Sequence, residues 1–266
     1  MQISNFTPND IHPFLSMAKD EGWISTRREL AFLLERSPQG CLVCHDGEKP
    51  VGFVTAVRHG KSGWIGNLLV AAGERGRGIG TALFKQAMQV LQRADVLTLW
   101  LTASSAGRPI YERNGFTVCD RIRRWEGLGG EPEPAAAVKK MHSGWEEIDF
   151  LGWGDDRTAL LAHAADGGSV RGSEGGFLVV QSLGNHRQIG PYGALNLPTA
   201  EALMDGIQQQ GGATMLDVPA ANRAASKLLT SRGFTVCSEV DLMYAGQPPA
   251  YHPEYIFGLA SMGSMG

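Results

Sequence analysis

Four cysteines in 266 residues are too few to build a disulfide framework. No apolar run approaches the roughly 18–20 residues that a membrane helix needs. Met1 to Asp10 carry neither a basic n-region nor an apolar core, so no signal peptide is expected and the expected compartment is the cytoplasm. Positive charge is not in excess. Lys and Arg number 24 against 27 Asp and Glu, a net charge of −3, which argues against a broad nucleic-acid surface. Neither a nucleic acid nor a membrane is therefore expected as a partner. With 43% hydrophobic and 19% charged residues, the chain is also neither disordered nor collagenous, and it is long enough for an ordinary core or for two.

What the chain has in abundance is glycine, 35 residues of 266. Ordinary usage is roughly 7%, near half of this. The glycines follow no strict period. Many sit at turns, and Gly76, Gly78 and Gly80 cluster between a strand pattern and a helix pattern.

Periodicity organises the N-terminal half. Gln2 to Phe6 reads as a strand, and about Asp10 to Glu21 as a helix. Thr26 and Glu29 have the spacing of a capping box, opening a second helix with Leu30, Leu33 and Leu34 on one side. Cys41 to His45 and Val51 to Arg58 flank an Asp46-Gly47 turn as two strands, and Trp64 to Val70 is a third. Thr81 to Gln92 is amphipathic, Val96 to Leu101 is another strand, and Pro109 to Asn114 is a short helix closed by Gly115. From Gly129 the composition turns to Gly, Pro, Glu and Ala, which predicts a linker over 129–144.

An internal repeat sets the architecture. Gly115-Phe116-Thr117-Val118-Cys119 recurs as Gly233-Phe234-Thr235-Val236-Cys237, and Ile65-Gly66 recurs as Ile189-Gly190. Between these landmarks the second copy is shorter by the length of Arg75 to Gly80, so the glycine cluster is missing from it. Domains are accordingly expected at 1–128 and 145–266.

Arg75-Gly76-Arg77-Gly78-Ile79-Gly80 follows a strand and opens a helix. The first N–H groups of a helix lack intrahelical partners and, with the helix dipole, favour an anion. Glycines let the backbone come close to a pyrophosphate and adopt positive φ, and two arginines add charge. A Rossmann turn would need a glycine where Thr81 stands, and a P-loop would need Gly-Lys-Ser/Thr, which is absent. A phosphate-bearing cofactor of another kind is expected.

This stretch, after Gly66-Asn67-Leu68-Leu69-Val70, resembles the acetyl-CoA-binding motif of the GCN5-related N-acetyltransferases, and Leu99 to Phe116 is similar to that family's next motif. The resemblance covers Gln2 to about Trp125. The second copy looks like a degenerate domain of the same fold, keeping an Asn-x-x-Ala pattern at Asn222 to Ala225. The fold so implied is mixed α/β: two tandem domains, each a mostly antiparallel sheet flanked by helices, with one splayed strand pair.

The resemblance further implies acetyl transfer from acetyl-CoA, as co-substrate, to an amine, with no metal. Arg75 to Thr81 (Arg75, Gly76, Arg77, Gly78, Ile79, Gly80, Thr81) would hold the pyrophosphate. The strand end Leu68, Leu69 and Val70 would offer a backbone N–H to the thioester carbonyl. Tyr111, four residues before Gly115-Phe116, would be the general acid, and Leu229 replaces it in the second copy. Ser104 stands where the family often has Asn and would contact the pantetheine arm. The family's frequent Glu on the preceding strand is missing, because Asn67 is the only polar side chain of Trp64 to Val70, so the general base is unassigned. The acceptor is a small-molecule or peptide amine of open identity. Rival readings are an acyl-CoA sensor without turnover, and a transferase for longer acyl groups or hydroxyl acceptors. A duplicated domain can replace a dimer partner, which favours a monomer.

Other signals weigh less. Cys41-x-x-Cys44-His45 matches a haem-attachment pattern, yet it alternates like a strand, lacks an export signal, and has no second metal-binding pair. Arg121, Arg123 and Arg124 are expected on a solvated strand face, with contact to the CoA 3′-phosphate or an acidic substrate as the alternative. Trp145 and Trp153 suit either core or groove, and Tyr255 to Leu259 reads as a last strand.

Overall fold

The computed structural model describes residues 1–128, 144–205, 207 and 213–266. The predicted linker, apart from Gly144, lies outside the described residues. In chain order the first elements are β1 (Gln2–Asn5), α1 (Ile11–Asp20), α2 (Arg27–Arg36), β2 (Leu42–Asp46), β3 (Lys49–Arg58), β4 (Ser62–Val70), α3 (Ile79–Arg93), β5 (Thr98–Ala103), α4 (Arg108–Glu112) and β6 (Thr117–Leu128). After them come α5 (Trp145–Trp153), α6 (Thr158–Asp166), β7 (Gly168–Ser173), β8 (Gly176–Leu183), β9 (His186–Ala194), α7 (Leu197–Met204), β10 (Ala213–Pro219), α8 (Arg223–Ser231), β11 (Thr235–Gly246) and β12 (Ile256–Gly258). No helix among the described residues is long and apolar enough to cross a membrane.

Two compact units result. The first gathers Met1–Leu101 with Ala245–Gln247 and Gly263–Met265, and the second holds Thr102–Tyr244, Pro248–Met262 and Gly266.

In the first unit the strand order is β1-β2-β3-β4-β5, antiparallel until the parallel β4–β5 pair. β3 is covered on both faces, with every residue from Val51 to Val57 buried. Val51, Phe53 and Val57 of β3 are interior, and Phe53 meets Phe6 and Phe14 at ring-centroid distances of 5.2 and 5.4 Å. α3 begins two residues before the predicted stretch and buries Ile79, Leu83, Phe84, Ala87 and Leu91, while Ala82 on the apolar pattern is exposed. α2 begins at the Thr26 side chain, which accepts the Glu29 N–H at 3.1 Å, and turns Leu30 and Leu33 inward.

In the second unit the order is β11-β6-β10-β9-β8-β7. β6 is antiparallel to both β10 and β11. The division by compactness thus differs from the one drawn on the repeat, which places β6 with the first copy. Periodicity reports which face of a strand is buried, not which strand lies beside it. Trp125 of β6 packs in the core of this unit with Leu178, Ile189, Leu216, Leu229 and Phe234. Trp145 is core as well, edge-on to Phe177, and Trp153 is buried under the Arg157 guanidinium at 4.4 Å.

Arg121 and Arg123 of β6 stand on a solvated strand face, 60% and 37% exposed, but none of the three arginines is spare charge. Arg121 and Arg123 pair with Glu239 at 3.0 and 2.8 Å. Arg124 makes two bonds of 2.8 Å to the fully buried Asp217. The partners come from β10 and β11, which local pattern could not place there.

Candidate functional site

Strand β4 carries the geometry that matters. It pairs with β5 only over Ser62 to Trp64, opposite Thr98 to Trp100, and then runs on without that neighbour to Val70. On its other edge the β3 register slips: Thr55 faces Gly66 and Phe53 faces Leu69, so Asn67 and Leu68 oppose Val54 alone. This is a bulge, and Asn67 takes φ 53° within it. Asn and Asp tolerate that left-handed region better than most side chains. The Asn67 side chain donates to the Thr55 hydroxyl at 3.1 Å, and its backbone N–H donates to the Gly263 carbonyl at 3.2 Å. The chain passes so close here that a Cβ at Gly66 would overlap the Gly263 carbonyl oxygen and the Ser264 backbone. Leu69 is buried, while Leu68 and Val70 are half-buried.

The glycine turn follows. Gly76 and Gly78 both have φ 80°, which explains two of the three glycines by backbone conformation alone. Gly78 is the N-cap of α3, no side chain caps the helix, and its ladder opens with the Ala82 N–H to the Gly78 carbonyl at 3.0 Å. The N–H groups of Ile79, Gly80 and Thr81 precede that first bond and point out of the helix end. Gly80 is helical, and a Cβ there would sit 3.5 Å from Val70 Cγ2. Outward N–H groups of this kind are the geometry that favours an anion.

The two arginines of the turn are less available than their sequence suggests. Arg75 donates to the Val70 carbonyl at 3.0 Å and to Glu21. Arg77 is bonded to Glu74 and, at 3.3 Å, to Asp46. With both side chains paired, an anion at this turn would meet chiefly backbone N–H groups and the helix dipole.

Tyr111 and Ser104 belong to the second unit. Tyr111 is buried on α4 beside Phe116, with ring centroids 6.3 Å apart. Burial pushes its phenol up to about 12, so it holds its proton throughout the neutral range. Ser104 is exposed, and its hydroxyl accepts the Gly107 N–H at 3.2 Å, fixing the turn into α4.

One titratable group escaped the sequence reading. Glu29 has capping-box spacing, but its carboxylate does not return to Thr26. It accepts hydrogen bonds from the side chains of Asn67 and Ser264. Burial of the carboxyl outweighs these two bonds and raises its pKa from 4.5 to about 7. The residue keeps part of its surface open. Only the absence of any other acid for the base role pointed here, because Glu29, Asn67 and Ser264 are far apart in the chain.

The same places in the second unit are filled. β9 and β10 pair in parallel only over His186 to Gln188 with Ala213 to Met215. β12 then pairs with β9 at Gly193 and Tyr192, and the Leu259 N–H donates to the Asp217 carbonyl of β10 at 2.8 Å. α7 is capped by Asn196, whose side chain accepts the Thr199 N–H at 3.0 Å. Asn222 caps α8 and donates to the Ile256 carbonyl at 2.9 Å. Leu229, at the position matching Tyr111, is core. Cys41, just before β2, and Cys44 within it are buried thiols, and burial raises Cys41 to about 12.

Comparison with known proteins bears on the fold that carries this geometry. Residues 37–118 match one family model described as an acetyltransferase (GNAT) domain, and residues 146–258 match a second with the same description. A crystal structure of a putative acetyltransferase from Pyrococcus horikoshii superposes with a TM-score of 0.86 at 26% identity, over 99% of this chain and 95% of that one. A tandem GNAT protein from the clavulanic acid biosynthesis pathway has the same fold, with a TM-score of 0.62 at 15% identity over 94% and 99%. Among curated proteins, an uncharacterised N-acetyltransferase of Methanocaldococcus jannaschii is 28% identical over 149 residues, 46% of this chain and 63% of the relative.

Proposed function

The chain belongs to the GNAT acetyltransferase family, with two GNAT domains in tandem, and from that premise we propose that it transfers an acetyl group from acetyl-CoA to a primary amine. The observation that carries this is the uncapped start of α3, with Gly76 and Gly78 at positive φ, directly after a strand that has parted from its neighbour.

In this reading the N–H groups of Ile79, Gly80 and Thr81 hold the pyrophosphate. An N–H of Leu69 or Val70, free of β5, holds the thioester carbonyl and the charge that develops on it. A preorganised donor of this kind contributes roughly 2.7–4 kcal/mol to the barrier. The amine attacks directly, and Tyr111, which stays protonated, supplies a proton to the departing thiolate. Ser104 would contact the pantetheine arm while it holds α4. The second copy is proposed as non-catalytic. This is supported by Leu229 in place of the tyrosine, the Asn196 cap on α7, and β12 paired along β9.

Calorimetric titration with acetyl-CoA tests the reading. Wild type should bind one equivalent, and Gly78→Trp, which sets a bulky side chain at a φ of 80°, should bind none. No binding by folded wild type overturns it.

A further inference from the structure

A primary amine arrives at neutral pH as an ammonium ion, and it cannot attack until a proton leaves. In this unit β4 presents no carboxylate, because its polar side chains are Ser62 and Asn67. The buried polar cluster at its bulge does. Thr55 holds Asn67, and Asn67 with Ser264 holds the Glu29 carboxylate, drawing β3, β4, α2 and the Gly263–Met265 segment to one point. Thr55, Asn67 and Ser264 are 1%, 6% and 2% exposed, so the cluster is built rather than incidental. It also lies in the right place along the strand. Asn67 precedes Leu69 by two residues, and the bulge at Asn67 keeps them closer than the roughly 7 Å of extended chain. A group bonded to the Asn67 side chain therefore sits beside the same stretch of β4 that offers the Leu69 and Val70 N–H groups.

We propose that Glu29 is the general base that deprotonates the acceptor, the role left vacant on β4. The proposal rests on the acetyl-transfer reading above. Its proton count closes. Glu29 takes one proton from the ammonium. The nitrogen lone pair forms the C–N bond as the C–S bond breaks and sulfur leaves with the electron pair. The nitrogen then loses a second proton, which balances the one the thiolate takes up, and Glu29 returns its own proton to solvent.

Asn67 and Ser264 make the site specific, because both can donate to the carboxylate and neither carries charge to trap it ionised. On α2 itself Arg27, Arg28, Glu35 and Arg36 are exposed. His12, Lys19 and Asp20 on α1, and Lys49 and Arg58 on β3, are exposed. The His59 imidazole meets this segment at the Met265 carbonyl, 3.2 Å from its Nε2. A carboxyl raised to about 7 by burial is half ionised near neutrality, which suits a base.

The test compares Glu29→Gln with wild type, using thiol release from acetyl-CoA and two probe amines. Methylamine is an ammonium ion at neutral pH, whereas methoxyamine is already uncharged. Glu29→Gln should lower kcat/KM for methylamine by about 100-fold and leave methoxyamine within about threefold. Equal losses with both amines, or no loss, overturn the proposal. If wild type accepts neither probe, ¹³C NMR of the Glu carboxyls decides. The resonance missing from Glu29→Gln should titrate near neutral pH, and its midpoint should move when the unreactive oxygen analogue of acetyl-CoA binds. A titration blind to the analogue overturns the proposal. Loss of acetyl-CoA binding in folded wild type would instead remove the transferase reading itself, so the two failures are distinct.

Discussion

The Asn67 backbone N–H donates to the Gly263 carbonyl at 3.2 Å, so a strand that has left β5 still has a partner at its bulge. An unmet N–H in that interior would cost about 1–3 kcal/mol. Gly66, the residue before, is a glycine because the same segment passes over it. Gly66→Ala should therefore lift Gly263–Met265 away. Overpacking of this kind costs about 1–3 kcal/mol, which denaturant unfolding would read. The sharper readout is hydrogen exchange at the Asn67 amide, which should accelerate. Unchanged exchange would mean that the contact does not hold the bulge.

Glu29 gives a pH dependence with a definite sign. Its pKa rises from 4.5 to about 7 on folding, so the folded chain binds the extra proton between those values. Stability then falls as pH rises through this window, because the ionised carboxyl is the disfavoured form in the fold. Glu29→Gln removes that penalty. The variant should match wild type near pH 5 and exceed it near pH 8, by no more than about 3 kcal/mol and less in proportion to the residue's open side. Urea melts at the two pH values check it. A variant less stable at pH 8 would place the ionised carboxylate among the stabilising groups instead.

Tyr111 should behave as a proton donor that never ionises in the working range, since burial holds its phenol up near 12. Tyr111→Phe should leave acetyl-CoA affinity unchanged and lower kcat by at least about 100-fold. The wild-type rate should show no alkaline limb from this group below about pH 11. A fall in affinity with kcat intact would reassign the ring to packing beside Phe116.

These residues also mark how far the sequence could be read. α3 was legible because Leu83, Ala87 and Leu91 recur at helical spacing, and the turn before it because Gly76 and Gly78 need a φ that other residues resist. The splay of β4 from β5 followed from a family resemblance, not from period. The Glu29 cluster was illegible, because its partners lie on β4 and near the chain's far end, and Thr26-x-x-Glu29 has a sufficient local explanation that is only half true. The Arg75 and Arg77 side chains were legible as charge but not as charge already matched, since Glu21 and Asp46 come from other elements.

Arg124 and Asp217 extend the same lesson to the second unit, and they separate two kinds of ion pair on one strand. Asp217 has no exposed side-chain surface, accepts both Arg124 bonds, and also accepts the Gln188 amide at 3.0 Å. Arg121, on the same strand, is 60% exposed where it meets Glu239. Removing one member of a buried pair leaves its partner uncompensated and costs about 3–5 kcal/mol, whereas an exposed pair is worth about 0–1. Asp217→Ala should therefore destabilise the chain severalfold more than Arg121→Ala does. The double variant Arg124→Met, Asp217→Leu should recover much of the loss, because it removes both charges together. Urea melts of the three variants give the comparison. Equal effects of Asp217→Ala and Arg121→Ala would mean that water reaches Asp217 freely, and that β6 is held to β10 by its backbone ladder and Trp125 alone.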